Sequence, residues 1–219
     1  MSITPESVKQ MLSSEDLGDR LRAVNNIRDL EPAIAYELIQ TAIKDPNSRV
    51  RYSAASQMDT LGMQDIERSL TTLRELLSDP EPDVQAAAAD CLGALKLVSA
   101  FDDLQHLYQT TKEWIVQLSV IATLGVLGEP RGFELLKQAL SSDNELVKIA
   151  AISTLGELGN LEAVPLIAPY ATNPDWQIRH RVVLALNHLG SPEAKSILEN
   201  LANDEVETVA NEAKRNLNV

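Results

Sequence analysis

Apolar and small residues recur in one register in five segments of the chain. Counted from a marker position, they fall at the marker and three, four, seven, eight and eleven residues after it, as in Val84, Ala87, Ala88, Cys91, Leu92 and Leu95. This spacing places them on one face of an α-helix. The markers recur at intervals of about 31 to 34 residues and are Val50, Val84, Val116, Val147 and Ile178. Such intervals are typical of helical-repeat solenoids.

Each copy is predicted to start at a turn and to end its first helix at a glycine. Capping acceptors precede prolines at Asp45-Pro46, Asp79-Pro80 and Asn173-Pro174, and we expect the helices to begin there. Twelve residues after the marker stand Gly62, Gly128, Gly159 and Gly190. Glycine ends a helix in the left-handed conformation at the lowest cost. Lys96 occupies this position in the second copy, where we expect a longer helix or a different turn.

A shorter amphipathic helix is predicted after each of these turns. The five segments are about Ile66 to Leu77, Ala100 to Gln109, Arg131 to Leu140, Glu162 to Ala171 and Pro192 to Ala202. The predicted fold is therefore all-α. Its register resembles HEAT repeats, which implies a HEAT-like helical-repeat solenoid formed as a superhelix of antiparallel helix pairs. We expect one domain over 1–219, with a degenerate N-terminal cap at 1–44, five regular repeats at 45–203 and a C-terminal capping helix at 204–219.

An arginine directly follows two of the markers. Arg51 and Arg179 stand six residues after Asp45 and Asn173, which lie in the preceding turns. This arrangement resembles HEAT repeats, in which Asp and Arg form a hydrogen-bonded ladder between neighbouring copies. We therefore expect structural roles for both arginines, since the guanidinium fork suits several turn acceptors at once.

A second stripe runs along another face of the marker helices. It reads Tyr52, Ser56 and Asp59 in the first copy but is apolar in the middle copies, where Gly93, Gly125 and Gly156 recur inside the helix. Such a face either binds a ligand or partner, or packs laterally against the next copy, and the sequence leaves both interpretations open.

Two tryptophans occupy equivalent positions in copies two apart. Trp114 and Trp176 each precede their marker by two residues, which predicts that they lie about 20 Å apart on one edge of a groove. An aromatic and cationic lining for a planar anionic ligand, or for the anchor of a partner, is predicted from Arg49, Tyr52, Trp114, Leu118, Ile149, Trp176, His180 and Arg181. The alternative is that the tryptophans are wedges packed between repeats.

The amino-acid composition restricts the partners, the location and the kinds of site that we expect. The chain has 32 acidic and 19 basic residues, a net charge of -13, which disfavours binding to nucleic acid. One cysteine, Cys91, and no apolar run of membrane-spanning length predict a cytoplasmic protein. The three histidines lack metal-ligand spacing, so no metal site is predicted, and no set of residues suggests catalysis.

The opening half, from PESVKQMLSSEDLGDRLRAVNNIRDL through AIKDPNSRVRYSAASQM, resembles the cyanobacterial phycobilisome degradation proteins, and the resemblance extends over the whole chain. That family is itself similar to the phycobilin lyases. The resemblance implies a factor that binds phycobiliprotein subunits, phycocyanin and allophycocyanin, or their bilin, with phycocyanobilin as the candidate ligand of a concave groove. Other phycobilisome degradation factors or a protease adaptor are further implied partners.

Two alternatives to this function stay open at the sequence level. One is a non-catalytic adaptor that links phycobiliprotein to a protease. The other is a lyase that attaches or detaches the bilin, for which the catalytic residues are unknown.

Overall fold

The computed structural model describes residues 3–217, and its regular secondary structure over that range is helical, without a strand. The all-α prediction is therefore confirmed. The chain divides into two compact units, Met1–Leu127 and Gly128–Val219. Residues 1, 2, 218 and 219, which belong to the predicted cap and closing helix, lie outside the described residues. The continuous single domain with its three segments stays a prediction.

The first unit contains nine α-helices within its described residues, with 3-10 turns at Gly62–Gln64 and Val98–Ala100. The helices are α1 (Pro5–Leu12), α2 (Leu17–Ile27), α3 (Pro32–Ala42), α4 (Ser48–Ala55), α5 (Met58–Leu61), α6 (Ile66–Leu76), α7 (Pro82–Ala94), α8 (Phe101–Thr110) and α9 (Trp114–Leu127).

The second unit contains six α-helices within its described residues, with 3-10 turns at Pro130–Gly132, Leu161–Ala163 and Ala168–Thr172. The helices are α10 (Phe133–Ala139), α11 (Glu145–Leu158), α12 (Val164–Ile167), α13 (Trp176–Leu189), α14 (Pro192–Leu201) and α15 (Glu207–Leu217).

The repeating apolar stripe forms the core of both units. Four of the five marker residues have no exposed surface and the fifth is 1% exposed: Val50, Val84, Val116, Val147 and Ile178. Burial of these stripes is the main stabilising contribution, at about 1.5–3 kcal/mol for each large apolar side chain. The register predicted from the sequence is thus the register of the core.

The helices begin later than the Asp-Pro and Asn-Pro turns predict. The side chains of Asp45, Asp79 and Asn173 accept a hydrogen bond from the backbone N–H two residues later, at 2.8, 2.9 and 2.9 Å. Their acceptors therefore stabilise the turn, and the first helical residue comes after it. Asn47, not Asp45, is the N-cap of α4, since its side chain accepts from the Arg49 N–H. The prediction that the helices begin at these prolines was wrong for this reason.

At two of the positions twelve residues after a marker, the backbone differs from the sequence prediction. Gly62 lies in the right-handed region at φ -59, so its predicted left-handed role is wrong. A Cβ there would come within 2.6 Å of the Leu95 side chain, and close packing accounts for the glycine. Lys96, in contrast, adopts the left-handed φ of 54, and α7 ends at Ala94. Both alternatives predicted for this copy, a longer helix and a different turn, were wrong, since it keeps the left-handed turn with a lysine.

The predicted helix from Glu162 to Ala171 is broken. Residues Val164–Ile167 form one α-helical turn, and 3-10 turns precede and follow it. Pro165 and Pro169 lie in this segment. Because proline lacks the N–H that an interior helical position must donate, a continuous α-helix cannot form here.

Candidate functional site

The predicted arginine ladder is present in both units. Arg51 donates from Nε and Nη2 to the two carboxylate oxygens of Asp79, at 2.7 and 2.8 Å, and from Nη1 to the carbonyl of Asp45 at 3.0 Å. Arg179 makes the equivalent bonds to Asp204, at 2.7 and 2.9 Å, and to the carbonyl of Asn173 at 2.8 Å. The structural role expected for both arginines is confirmed.

The electrostatics of the ladder agree with its geometry. Burial opposes ionisation of Asp79, but hydrogen bonds from Arg51 and from the Glu81 N–H lower the pKa of this carboxyl below its ordinary value. The hydrogen bond from Arg179 is the main cause that lowers the pKa of Asp204. These carboxylates are fully engaged by the fold, so we do not count them as part of a binding site.

The ladder extends into the first unit's N-terminal segment. Arg20 in α2 donates from Nε to Asp45 at 2.8 Å and from Nη1 to the carbonyls of Ser14 and Glu15, both at 3.0 Å. The segment was expected to differ from the later copies, but it has the same ladder contact. The sequence signal was available, since Arg20 stands six residues after Ser14, as Arg51 does after Asp45.

The glycines inside the marker helices allow neighbouring helices to approach. A Cβ on Gly156 of α11 would lie 2.6 Å from the Cα and 2.8 Å from the Cβ of Ala185 in α13. A Cβ on Gly93 of α7 would lie 3.1 Å from the Thr123 side chain in α9. At these two positions the structure supports lateral packing between copies, one of the two interpretations that the sequence left open.

A cleft in the first unit lies along the other residues of this stripe. It has a volume of about 560 Å³ and is lined by side chains from α4, α5, α7 and α9. Small residues form much of its lining, and three carboxylates face it, those of Asp59, Asp83 and Asp90. Tyr52, which is 48% exposed, supplies an aromatic ring, and Ile115 and Ser119 belong to the α9 side. The cleft is thus partly apolar and strongly acidic.

The acidic surroundings affect the titratable groups of the cleft. Burial raises the pKa of Asp90 above its ordinary value, and a hydrogen bond with Ser119 opposes this rise. Burial, with the negative charges of Asp59 and Asp90, raises the pKa of the Cys91 thiol to about 12. The Cys91 Sγ also donates to the Ala55 carbonyl at 3.1 Å. Cys91 is therefore a neutral thiol that cannot act as a nucleophile near neutral pH.

Four of the residues predicted for the binding site lie in the first unit. Arg49 and Tyr52 line a small hollow of about 70 Å³ that shares Tyr52 and Asp83 with the cleft. Trp114, 44% exposed, is the first residue of α9 and directly precedes Ile115 of the cleft lining. Leu118 is half-buried on α9.

The other four predicted residues lie in the second unit. Trp176, 41% exposed, packs edge-on against His180 with ring centroids 6.4 Å apart. Ile149 is half-buried on α11. Arg181 lines a separate hollow of about 120 Å³ with Ser153, Glu157 and His188. The structure therefore places four of the eight residues in each unit, and the shared groove edged by both tryptophans stays a prediction.

The described residues 3–217 contain no group of three or more His, Cys, Asp and Glu side chains that could hold a metal ion. Within the same range, no helix is both long and apolar enough to cross a bilayer. The candidate site contains exposed aromatic rings, carboxylate acceptors and a few cations.

The fold is that of a helical-repeat protein. The chain belongs to the HEAT-repeat family, whose sequence model matches residues 37–125, 70–145 and 133–218. The arginine ladder and buried marker stripe described above are the structural counterpart of that match. No curated protein matches the chain by sequence.

Two solved structures share this fold. The complex of CpcE and CpcF of phycocyanin lyase from Nostoc is 21% identical, and the alignment covers 99% of this chain and 94% of that chain with a TM-score of 0.64. The YibA protein of Escherichia coli is 13% identical over 97% of this chain and 80% of that chain, with a TM-score of 0.76. At these identities the likeness shows the fold.

Proposed function

We propose that the protein is a phycobilisome degradation factor of the NblB type, which binds phycobiliproteins and their bilin chromophores. The cleft of about 560 Å³ in the first unit, with Tyr52 at its wall and Trp114 at the start of the adjoining α9, is the observation that carries the proposal. The sequence resemblance described above supports it, as does the fold shared with a complex that is named as a phycocyanin lyase.

The cleft suits an open-chain tetrapyrrole in size and in hydrogen bonding. Its volume falls within the range of about 300–1,000 Å³ that is typical of small-molecule sites. The small side chains Ala86, Ala87 and Ala94 leave room for flat rings, and Tyr52 offers a ring for stacking. Pyrrole N–H groups are donors, and the carboxylates of Asp83 and Asp90 are acceptors that pair with them.

The second unit supplies a different kind of contact. Trp176, which is exposed, and His180, which is half-buried, form an aromatic pair at the start of α13, where a partner protein can cover the accessible part of both rings. Aromatic residues of this kind are enriched among the side chains that dominate protein interfaces. We assign this pair to the phycobiliprotein surface and the first-unit cleft to the bilin.

The test is a spectral titration of the purified protein with phycocyanobilin. We expect a saturable change in the bilin absorption spectrum, and Tyr52→Ala should weaken binding several-fold because stacking on the ring is lost. Met63→Ala is the matched control, since Met63 is 63% exposed in the same unit but lies outside the lining of the cleft. An unchanged spectrum at saturating protein would refute bilin binding.

The same preparation separates the two other functions. An adaptor predicts that phycocyanin is retained in a pull-down while free bilin gives no spectral response. A lyase predicts that mass spectrometry detects altered bilin occupancy of phycocyanin cysteine peptides after incubation. The buried Cys91 thiol, with its pKa raised to about 12, offers no support for a thiol-based transfer through this chain.

A further inference from the structure

A second hollow adjoins the proposed bilin cleft in the first unit. It has a volume of about 400 Å³ and shares Ser56 and Asp59 with the cleft. Its other lining residues are Arg28, Gln57, Thr60 and Leu61. Because two residues line both spaces, an elongated molecule in the cleft can extend past Asp59 into this hollow.

Arg28 gives the hollow a positive charge. It follows the last residue of α2, is exposed, and has no ion-pair partner among residues 3–217. The neighbouring cleft contains three carboxylates, Asp59, Asp83 and Asp90. The carboxylates of a bilin would be repelled there and need a cation outside the cleft. Arginine binds a carboxylate through two parallel N–H donors.

We propose that Arg28 binds a carboxylate of the bilin, with Asp59, which lines both the hollow and the cleft, accepting from an N–H group of the same molecule. This assignment rests on the proposed function. In this arrangement the N–H donors of the bilin lie over the acidic cleft, and one of its carboxylates lies at Arg28. The selected substrate class is therefore an open-chain tetrapyrrole with free carboxylates.

The test compares phycocyanobilin with its dimethyl ester, which lacks the carboxylate charges. Arg28→Gln should weaken binding of the free acid about tenfold and leave the affinity for the ester unchanged, since a charge-assisted contact is lost only from the acid. Arg22→Gln on the same helix is the control, because Arg22 is exposed and pairs with Asp19 at 3.1 Å. Thermal unfolding of both variants checks that the fold is intact.

Each result decides a different point. Wild-type protein that binds neither compound refutes the proposed function itself. Wild-type protein that binds both equally, with Arg28→Gln unchanged, refutes only the assignment of Arg28. If Arg28→Gln binds the acid and the ester more weakly to the same extent, Arg28 maintains the structure at the end of α2, and the carboxylate contact is overturned. If Arg22→Gln weakens binding of the acid as much as Arg28→Gln does, the effect comes from long-range charge, and the carboxylate contact at Arg28 is overturned as well.

Discussion

Gly156→Ala should separate α11 from α13 and destabilise the second unit. The added Cβ would lie 2.6 Å from the Cα, 2.8 Å from the Cβ and 3.1 Å from the carbonyl oxygen of Ala185. Two of these three atoms belong to backbone, so a rotamer change cannot relieve the overlap. Overpacking of this kind typically costs about 1–3 kcal/mol, and alanine's helix propensity recovers about 1 kcal/mol. Because the backbone contact is so short, we expect a net loss of about 2 kcal/mol.

Gly93→Ala is the matched comparison, since Gly93 occupies the same repeat position in α7. There the Cβ would meet the side chain of Thr123 at 3.1 Å and its Cα at 3.4 Å. A shift of a few tenths of an ångström accommodates this, so we expect a change within about 1 kcal/mol of zero. Urea unfolding followed by circular dichroism measures both variants. If Gly156→Ala is as stable as Gly93→Ala or more so, α11 and α13 do not pack as described.

Three further predictions concern single residues. Asp204→Asn should lower the free energy of unfolding at pH 7 by about 2–4 kcal/mol, because Arg179 stays buried and keeps only the longer ion pair with the exposed Glu205, at 3.6 Å. The Asp204 pKa is lowered in the folded state, so the wild-type advantage should hold above the ordinary value of 3.8 and shrink as urea unfolding is repeated at lower pH. Cys91, 2% exposed with its pKa raised to about 12, should resist a thiol reagent at pH 8 in the native protein and react rapidly in denaturant; fast native labelling would contradict this. Lys96→Gly should melt higher than Lys96→Ala, since both lose the bond to the Val126 carbonyl but only glycine removes the cost of the left-handed φ of 54, about 1 kcal/mol; equal melting temperatures would argue against that conformation.

Most of the fold follows from local sequence patterns. The marker stripe is readable because helical periodicity and burial coincide, as at Val84 and Val116, which have no exposed surface. The ladder could be predicted at Arg51 because its turn acceptors lie close in sequence. The same contact at Arg20 was not predicted. Asp19 stands where the later copies have an apolar marker, so the apolar register does not extend to this segment.

Only part of the candidate site could be predicted from the sequence. Tyr52 and Asp59 stood out in the second stripe, and both line the cleft. Asp83 and Asp90 did not, because a single acidic residue on a helix looks like an ordinary solvated side chain. Their relevance depends on the packing of α4, α7 and α9, and that arrangement of helices from three copies is not encoded in the spacing of any one of them. Arg28 was missed for the same reason, since it reaches the site only through the packing of α2 beside α4.

Trp114 and Trp176 belong to different compact units, so their proposed roles can be tested separately. Trp114 and Trp176 are each the first residue of their helix, and they are 44% and 41% exposed, which makes their alanine variants a matched pair. We expect Trp114→Ala to lower the affinity for free phycocyanobilin several-fold, because aromatic packing contributes about 0.5–1.5 kcal/mol beyond area burial. Trp176→Ala should leave that affinity unchanged but reduce the phycocyanin retained in a pull-down. Equal loss of bilin affinity in both variants would contradict this division and favour the single groove edged by both tryptophans that the repeat spacing predicts.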